Sequence, residues 1–224
     1  MLSTLAQDDR LEFPISVWHR DRPDILIGIP SGTVGVELTE AITQQYAAYC
    51  ALAEREFPDA LLEPAHFHWG GPDRTVVEMR DLLRQDRLTS DGWVGDCPEQ
   101  EWAHFMLSLI EAKLDKLGAD GFEKFDRNWL AVYDNLPLPN IHLGNAIAFL
   151  RPLLKKCWRR RLAFDTLFVE HGPVIAEITA RGSDHLVPTI FGTEFTRRLG
   201  RTNAADGPFI SAIHWRKPWL TCRK

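Results

Sequence analysis

The sequence predicts an α/β (α+β) protein, a single mixed sheet of about five strands flanked by helices. Three observations carry this: short β-rich runs bounded by Gly and Pro, four longer segments with helical spacing of apolar residues, and no internal repeat or low-complexity linker. The 224 residues are 45 % hydrophobic and 25 % charged, a globular composition that excludes disordered and fibrous classes. One domain over residues 1–224 is the expectation at this length.

In chain order, Asp24–Ile29 and Thr33–Thr39 read as two strands joined by a tight turn at Ser31-Gly32, where Gly tolerates positive φ. From Glu40 the period changes. Ile42, Tyr46, Tyr49, Ala53 and Phe57 recur at helical spacing, and Pro58 ends the run. Thr75–Arg87 and Glu99–Gly118 are the next two helices, the second carrying Trp102, Phe105, Leu109, Ile110 and Leu117 and stopping at a Gly cap. Trp129–Tyr133 is a near-continuous apolar run, as in a strand buried on both faces. Asn145–Leu154 is helical, and Phe164–Glu170 and Val174–Thr179 are strands separated by the His171-Gly-Pro173 turn.

The net charge of −5 conceals an asymmetry: residues 151–224 hold 14 Lys and Arg against 6 Asp and Glu, leaving an acidic 1–150. The longest apolar runs fall far short of the roughly 20 residues that cross a bilayer. The N-terminal MLSTLAQDDRLEF lacks a basic region followed by an apolar stretch, so the expectation is a cytoplasmic protein with no membrane association. Cys50, Cys97, Cys157 and Cys222 form no CxxC pair and signal neither a disulfide framework nor a zinc ribbon.

The first hairpin carries the chemistry. Side chains alternate with period two, and a register shift by two changes partners but not faces. One face therefore holds Ile25, Ile27, Ile29, Val34, Val36 and Leu38, an aliphatic layer suited to a core; the other holds Asp24, Leu26, Gly28, Gly35, Glu37 and Thr39. Asp24 and Glu37 come within reach of one divalent ion, and hard cations such as Mg²⁺ take carboxylate oxygens. The alternative is a solvent-exposed strand face with two unremarkable acids.

Pro23-Asp24, a strand and turn, then Val-Gly-Val-Glu37-Leu-Thr39 leading into a helix resembles the PD-(D/E)xK nuclease superfamily, with its restriction-endonuclease-like fold. The likeness spans roughly residues 20–180, with the specific matches in 23–40 and in Asn128–Asp134; it implies a core over about 10–180 and a basic C-terminal extension. It further implies that Asp24 and Glu37 bind Mg²⁺ and that the position of Thr39, where the family carries a lysine, takes part in catalysis. Thr39 lacks the charge, so activity requires a lysine from elsewhere, with Lys113 and Lys116 on the long helix as sources; the alternative places both lysines in solvent beside Glu111 and Asp115. Gln45-x-x-x-Tyr49 matches a pattern that some relatives place after the acids, against a reading of Tyr49 as core and Gln45 as surface.

Two further groups complete the reading. Lys155, Lys156, Arg159, Arg160 and Arg161, with Trp158 among them, are a nucleic-acid-binding run in which the indole stacks on a base, or a solvated charge cluster. His66 and His68, if on a strand, face one way as zinc ligands need, with no third ligand signalled; the alternative is a packed or surface His pair. The sequence thus points to a Mg²⁺-dependent nuclease acting on DNA or RNA, weakened by Thr39, or to a non-catalytic module of the same fold that binds nucleic acid or protein.

Overall fold

In the structure, a computed structural model, residues 1–85, 87–119 and 123–186 are described, and they belong to the compact unit Met1–Pro188. Cys222 and the expected extension from residue 187 onward lie outside the described residues. A short helix α1 (Leu2–Gln7) precedes strands β1 (Ser16–His19), β2 (Ile25–Ile29) and β3 (Gly32–Ala41). Helices α2 (Gln44–Glu56), α3 (Val76–Arg84) and α4 (Cys97–Gly118) lead to β4 (Arg127–Asp134). Helix α5 (Leu143–Trp158) then connects to β5 (Thr166–His171), β6 (Val174–Thr179) and β7 (Ser183–Leu186).

All seven strands form one sheet in sequence order, β3, β4 and β5 parallel and the other neighbours antiparallel. The five strands read from sequence are present. The two added ones, β1 and β7, are short edge strands with the polar-containing sequences SVWH and SDHL, so they lack the apolar alternation that marks a strand. The helix boundaries follow local chemistry. Thr43 caps α2 by accepting from the Tyr46 amide, and Thr75 and Glu78 form a capping box on α3.

Alternation along β4 and β5 sends neighbouring residues into different cores. Leu130, Val132, Leu167 and Val169 pack with Trp102, Met106, Ile110 and Leu114 of α4 and with Leu150 and Leu154 of α5. Trp129 and Phe168 pack on the opposite face with Leu5 of α1 and with Ile27, Ile29, Val34 and Val36 of the hairpin. Each fully buried side chain of this kind stabilises the fold by about 1.5–3 kcal/mol, so α4 is fixed over the β3–β4 region by its own apolar stripe. A third cluster, Tyr49, Leu52, Phe67, Met79 and Leu83, joins α2 to α3.

The hairpin register corrects the expected turn. Ile29 pairs with Gly32 and Ile25 with Val36, so Pro30-Ser31 forms the turn and the register is shifted by two from the expected one. The faces are unchanged, and continuing the register by one residue sets Asp24 opposite Glu37 rather than Thr39. Gly32 begins β3 at φ +143°, and a Cβ there would lie 2.6 Å from the Asp126 carboxylate. That carboxylate accepts from the Thr33 amide and hydroxyl at 2.8 Å, closing the turn from outside. Leu38 departs from the expected aliphatic layer, being 42 % exposed.

Candidate functional site

The site is built on the middle of β3. Gly35 lets two groups settle over the strand: a Cβ at that position would meet Phe125 at 2.7 Å and Pro23 at 2.9 Å. Pro23 is buried, and its packing sets where Asp24 enters β2. Phe125 is held in turn by Asn128, which accepts from the Phe125 amide at 3.3 Å and donates to its carbonyl at 3.1 Å. The Arg20 guanidinium lies 5.5 Å from the Phe125 ring centroid and donates to Glu123 at 2.5 Å. These contacts wall one side of the carboxylates.

Two side chains converge on the Glu37–Leu38 segment. Asp24 Oδ2 accepts from the Leu38 amide at 2.6 Å. Lys113 Nζ donates to Glu37 Oε1 at 2.7 Å and to the Leu38 carbonyl at 3.1 Å. The side chains of Lys113 and Glu37 are only 15 % and 11 % exposed, so this is a pair largely withdrawn from water. The reading that left Lys113 in solvent is therefore corrected: the helix carries it 76 positions along the chain to the face of the sheet that bears Glu37. Its neighbour Lys116 is exposed, as that reading had it, and Asp115 is taken by Arg160 at 2.6 Å. Thr39 lies on the Glu37 face, paired with Val132 and half-buried.

Chemically the assembly is two carboxylates, a backbone carbonyl and an ammonium. The three oxygen donors are of the hard type that Mg²⁺ and Ca²⁺ take, and the bonds described use one oxygen of each carboxylate. Among the described residues no group of three or more His, Cys, Asp and Glu side chains gathers for a metal ion. A divalent ion here would depend on Asp24, Glu37 and the Leu38 carbonyl, with water or substrate completing its shell. The donor types fit. Lys113 already holds two of these three groups.

Other expected sites dissolve into structure. His66 lies in a 3-10 turn (Pro64–Phe67) and not in a strand, so the alternation that would have aligned it with His68 does not operate. His66 Nε2 bonds Glu63 at 2.9 Å, and His68 Nδ1 bonds Glu101 at 2.6 Å. Burial pushes the His66 imidazole below its ordinary pKa, outweighing the pull of Glu63. Burial alone would raise the Glu63 carboxyl, but donors from Ser90 and Thr89 outweigh it and hold the group down at about 2. Tyr49 is 1 % exposed in the α2–α3 core, and Gln45 accepts from the Arg74 amide at 3.0 Å, so the pair does not reach the carboxylates.

The basic run occupies the last turn of α5 and the residues after it. Lys155, Lys156, Arg159 and Arg161 are exposed, while Arg160 is engaged by Asp115. Trp158 corrects the stacking expectation, because its indole packs partly buried against the α4–α5 core. Sequence reasoning also missed a polar cluster at the carboxyl ends of β4 and β5. The Asp134 side chain, 3 % exposed, accepts from Trp102 Nε1 at 2.6 Å and meets His171 Nδ1 at 2.8 Å. The only signal for it was an acid closing an apolar strand beside a Trp-bearing helix.

Among the described residues no helix is long and apolar enough to cross a membrane. Comparison of the chain with models of protein families, with curated proteins and with solved structures finds no match.

Proposed function

We propose that the protein is a metal-dependent phosphodiesterase of the nuclease type, acting on DNA or RNA at the Asp24–Glu37–Lys113 site. The observation that carries the proposal is the approach of Lys113 to Glu37 beside Asp24, which supplies the cation that Thr39 lacks. A hairpin with two acids on one face is ordinary; a lysine drawn from a distant helix into a mostly buried contact with one of them requires a dedicated arrangement. The restriction-endonuclease-like reading of the fold rests on the same residues and on the meander, helix and parallel-strand order.

When bound, Mg²⁺ would neutralise developing phosphate charge and lower the pKa of a coordinated water. Asp24 and Glu37 would hold it. Lys113 would stabilise negative charge on the phosphoryl oxygens, where a preorganised cation in a partly desolvated site is most effective. Thr39 offers a hydroxyl that orients water without adding charge. Buried Pro23 and half-buried Phe125 lie over Gly35, two residues before Glu37 on the same strand. The test is cleavage of single- and double-stranded DNA and RNA with Mg²⁺ or Mn²⁺, expected for the wild type and lost in Glu37→Gln and Asp24→Asn. Absence of cleavage under all these conditions, or cleavage that survives both substitutions, refutes the proposal.

The engagement of two site oxygens by Lys113 also favours a second reading, a non-catalytic module that binds nucleic acid through its basic run. That reading expects binding without cleavage. Neutralising Arg159 and Arg161 would then flatten the dependence of affinity on salt by about one phosphate contact per charge.

A further inference from the structure

Lys113 does not stand beside an open pair of carboxylates; its ammonium sits on the oxygens themselves, Glu37 Oε1 at 2.7 Å and the Leu38 carbonyl at 3.1 Å. An ammonium is a compact point charge with three donors, and oxygens that satisfy it are the oxygens a hard divalent cation takes. Two cations cannot share one carboxylate oxygen at such separations without direct repulsion, and burial of both side chains weakens the screening that would relieve it. Arg20, a cation on the Phe125 wall, is committed to Glu123 and to the Phe125 ring, so it does not replace Lys113 as the partner of Glu37. Asp24 is different again: its described bond is to the Leu38 amide, not to a cation.

We infer that Lys113 is an internal competitor for the divalent cation, so that the ion enters the Asp24–Glu37 site only as the ammonium leaves Glu37 and Leu38. This deepens the proposed function and rests on it for the identity of the site, but it concerns occupancy and not turnover. The lysine keeps the carboxylates paired and the site folded when the cation is scarce. It also sets a threshold of cation concentration below which the site remains closed to metal. Once displaced, the ammonium is freed to face an anionic phosphate. The exchange therefore couples metal loading to presentation of the positive charge.

The experiment measures Mn²⁺ binding to the full chain by the electron paramagnetic resonance signal of the free ion. Lys113→Met is expected to bind Mn²⁺ on the order of tenfold more tightly than the wild type, each tenfold being about 1.4 kcal/mol. Lys116→Met removes a charge from the same helix without touching Glu37 and stays within about twofold of the wild type. Lys113→Arg, which keeps the charge, binds no more tightly than the wild type. Equal or weaker binding by Lys113→Met overturns the inference, as does equal tightening in both Met variants, which would reduce the effect to the general field of the helix. A second measurement uses the wild type alone, should Lys113→Met fail to fold. Acetylation of Lys113 by an N-hydroxysuccinimide ester, read by peptide mass spectrometry against Lys116, is expected to rise several-fold with millimolar Mg²⁺. A rate independent of Mg²⁺ overturns the inference. Tightening without any cleavage of nucleic acid sinks the nuclease reading and leaves the competition standing; cleavage without tightening does the reverse.

Discussion

The contact between Lys113 and Glu37 should be the energetic hinge of the site, and a double-mutant cycle measures it. At 2.7 Å and an effective dielectric of 20 the bare attraction is about 6 kcal/mol. Desolvation of two largely buried charges cancels much of that, which is why replacing a buried pair as a whole is often nearly neutral while removing one partner is not. With the side chains 15 % and 11 % exposed, residual solvent lowers the single-mutant cost below the roughly 3–5 kcal/mol of a fully buried pair, to about 2–4 kcal/mol. Glu37→Gln and Lys113→Met should each fall in that range. The double variant should lose much less than the two together, giving a coupling energy of about 2 kcal/mol. Urea unfolding at neutral pH with divalent cations chelated is the assay, fluorescence and circular dichroism reporting the same transition. A coupling energy below about 0.5 kcal/mol would class the contact with exposed surface pairs and refute the argument that burial makes it matter.

Further outcomes follow from neighbouring residues. Gly35→Ala should destabilise the protein by about 1–3 kcal/mol in urea titrations, since its Cβ would overlap Phe125 and Pro23 and overpacking of this kind forces backbone movement. Glu63 should shape the acid limb of stability: its carboxyl lies below the ordinary value of 4.5, at about 2, so its contribution is present above pH 4.5 and is lost as pH falls through 2. The loss is of order 3 kcal/mol, and Glu63→Gln should flatten it in a comparison of thermal melts between those pH values. Thr39→Lys in the Lys113→Met background should restore cleavage lost with Lys113, a change of about 10²–10³ in rate. No recovery, with metal binding intact, would mean that the two positions do not address the same phosphate.

The hairpin was legible because period-two alternation is local: any register shifted by two keeps Asp24, Gly35, Glu37 and Thr39 on one face, and the register found is one of these. The turn was misplaced because the Asp126 carboxylate that closes it comes from the segment before β4, a contact no hairpin rule contains. Strands β1 and β7 escaped notice for a similar reason. Each is held by pairing to a neighbour already in the sheet, not by an apolar face of its own. The zinc alternative at His66 and His68 fails for the converse reason: it needs strand geometry for a two-residue spacing, and Pro64 opens a 3-10 turn there.

Lys113 marks the boundary between what spacing encodes and what only packing decides. No spacing rule ties position 37 to position 113, which are 76 residues apart with two helices and a 3-10 turn between them; the resemblance named Lys113 only alongside Lys116. The link is made by Trp102, Met106, Ile110 and Leu114, of which Trp102 and Ile110 belong to the apolar spacing visible in the sequence, once they bind the particular sheet face that also bears Glu37. On a helix, residue 113 is offset by about 100° from residue 114 and residue 110 lies about one turn before it. A buried Leu114 and Ile110 therefore bring the 113 side chain to the margin of the core, where a long stem reaches the strand and its charged head meets the acid. The charge absent from the strand at Thr39 is brought to Glu37 through the register of α4 on the sheet, and the contact stands or falls with that helix: one position of rotation, about 100°, would carry Lys113 away from Glu37.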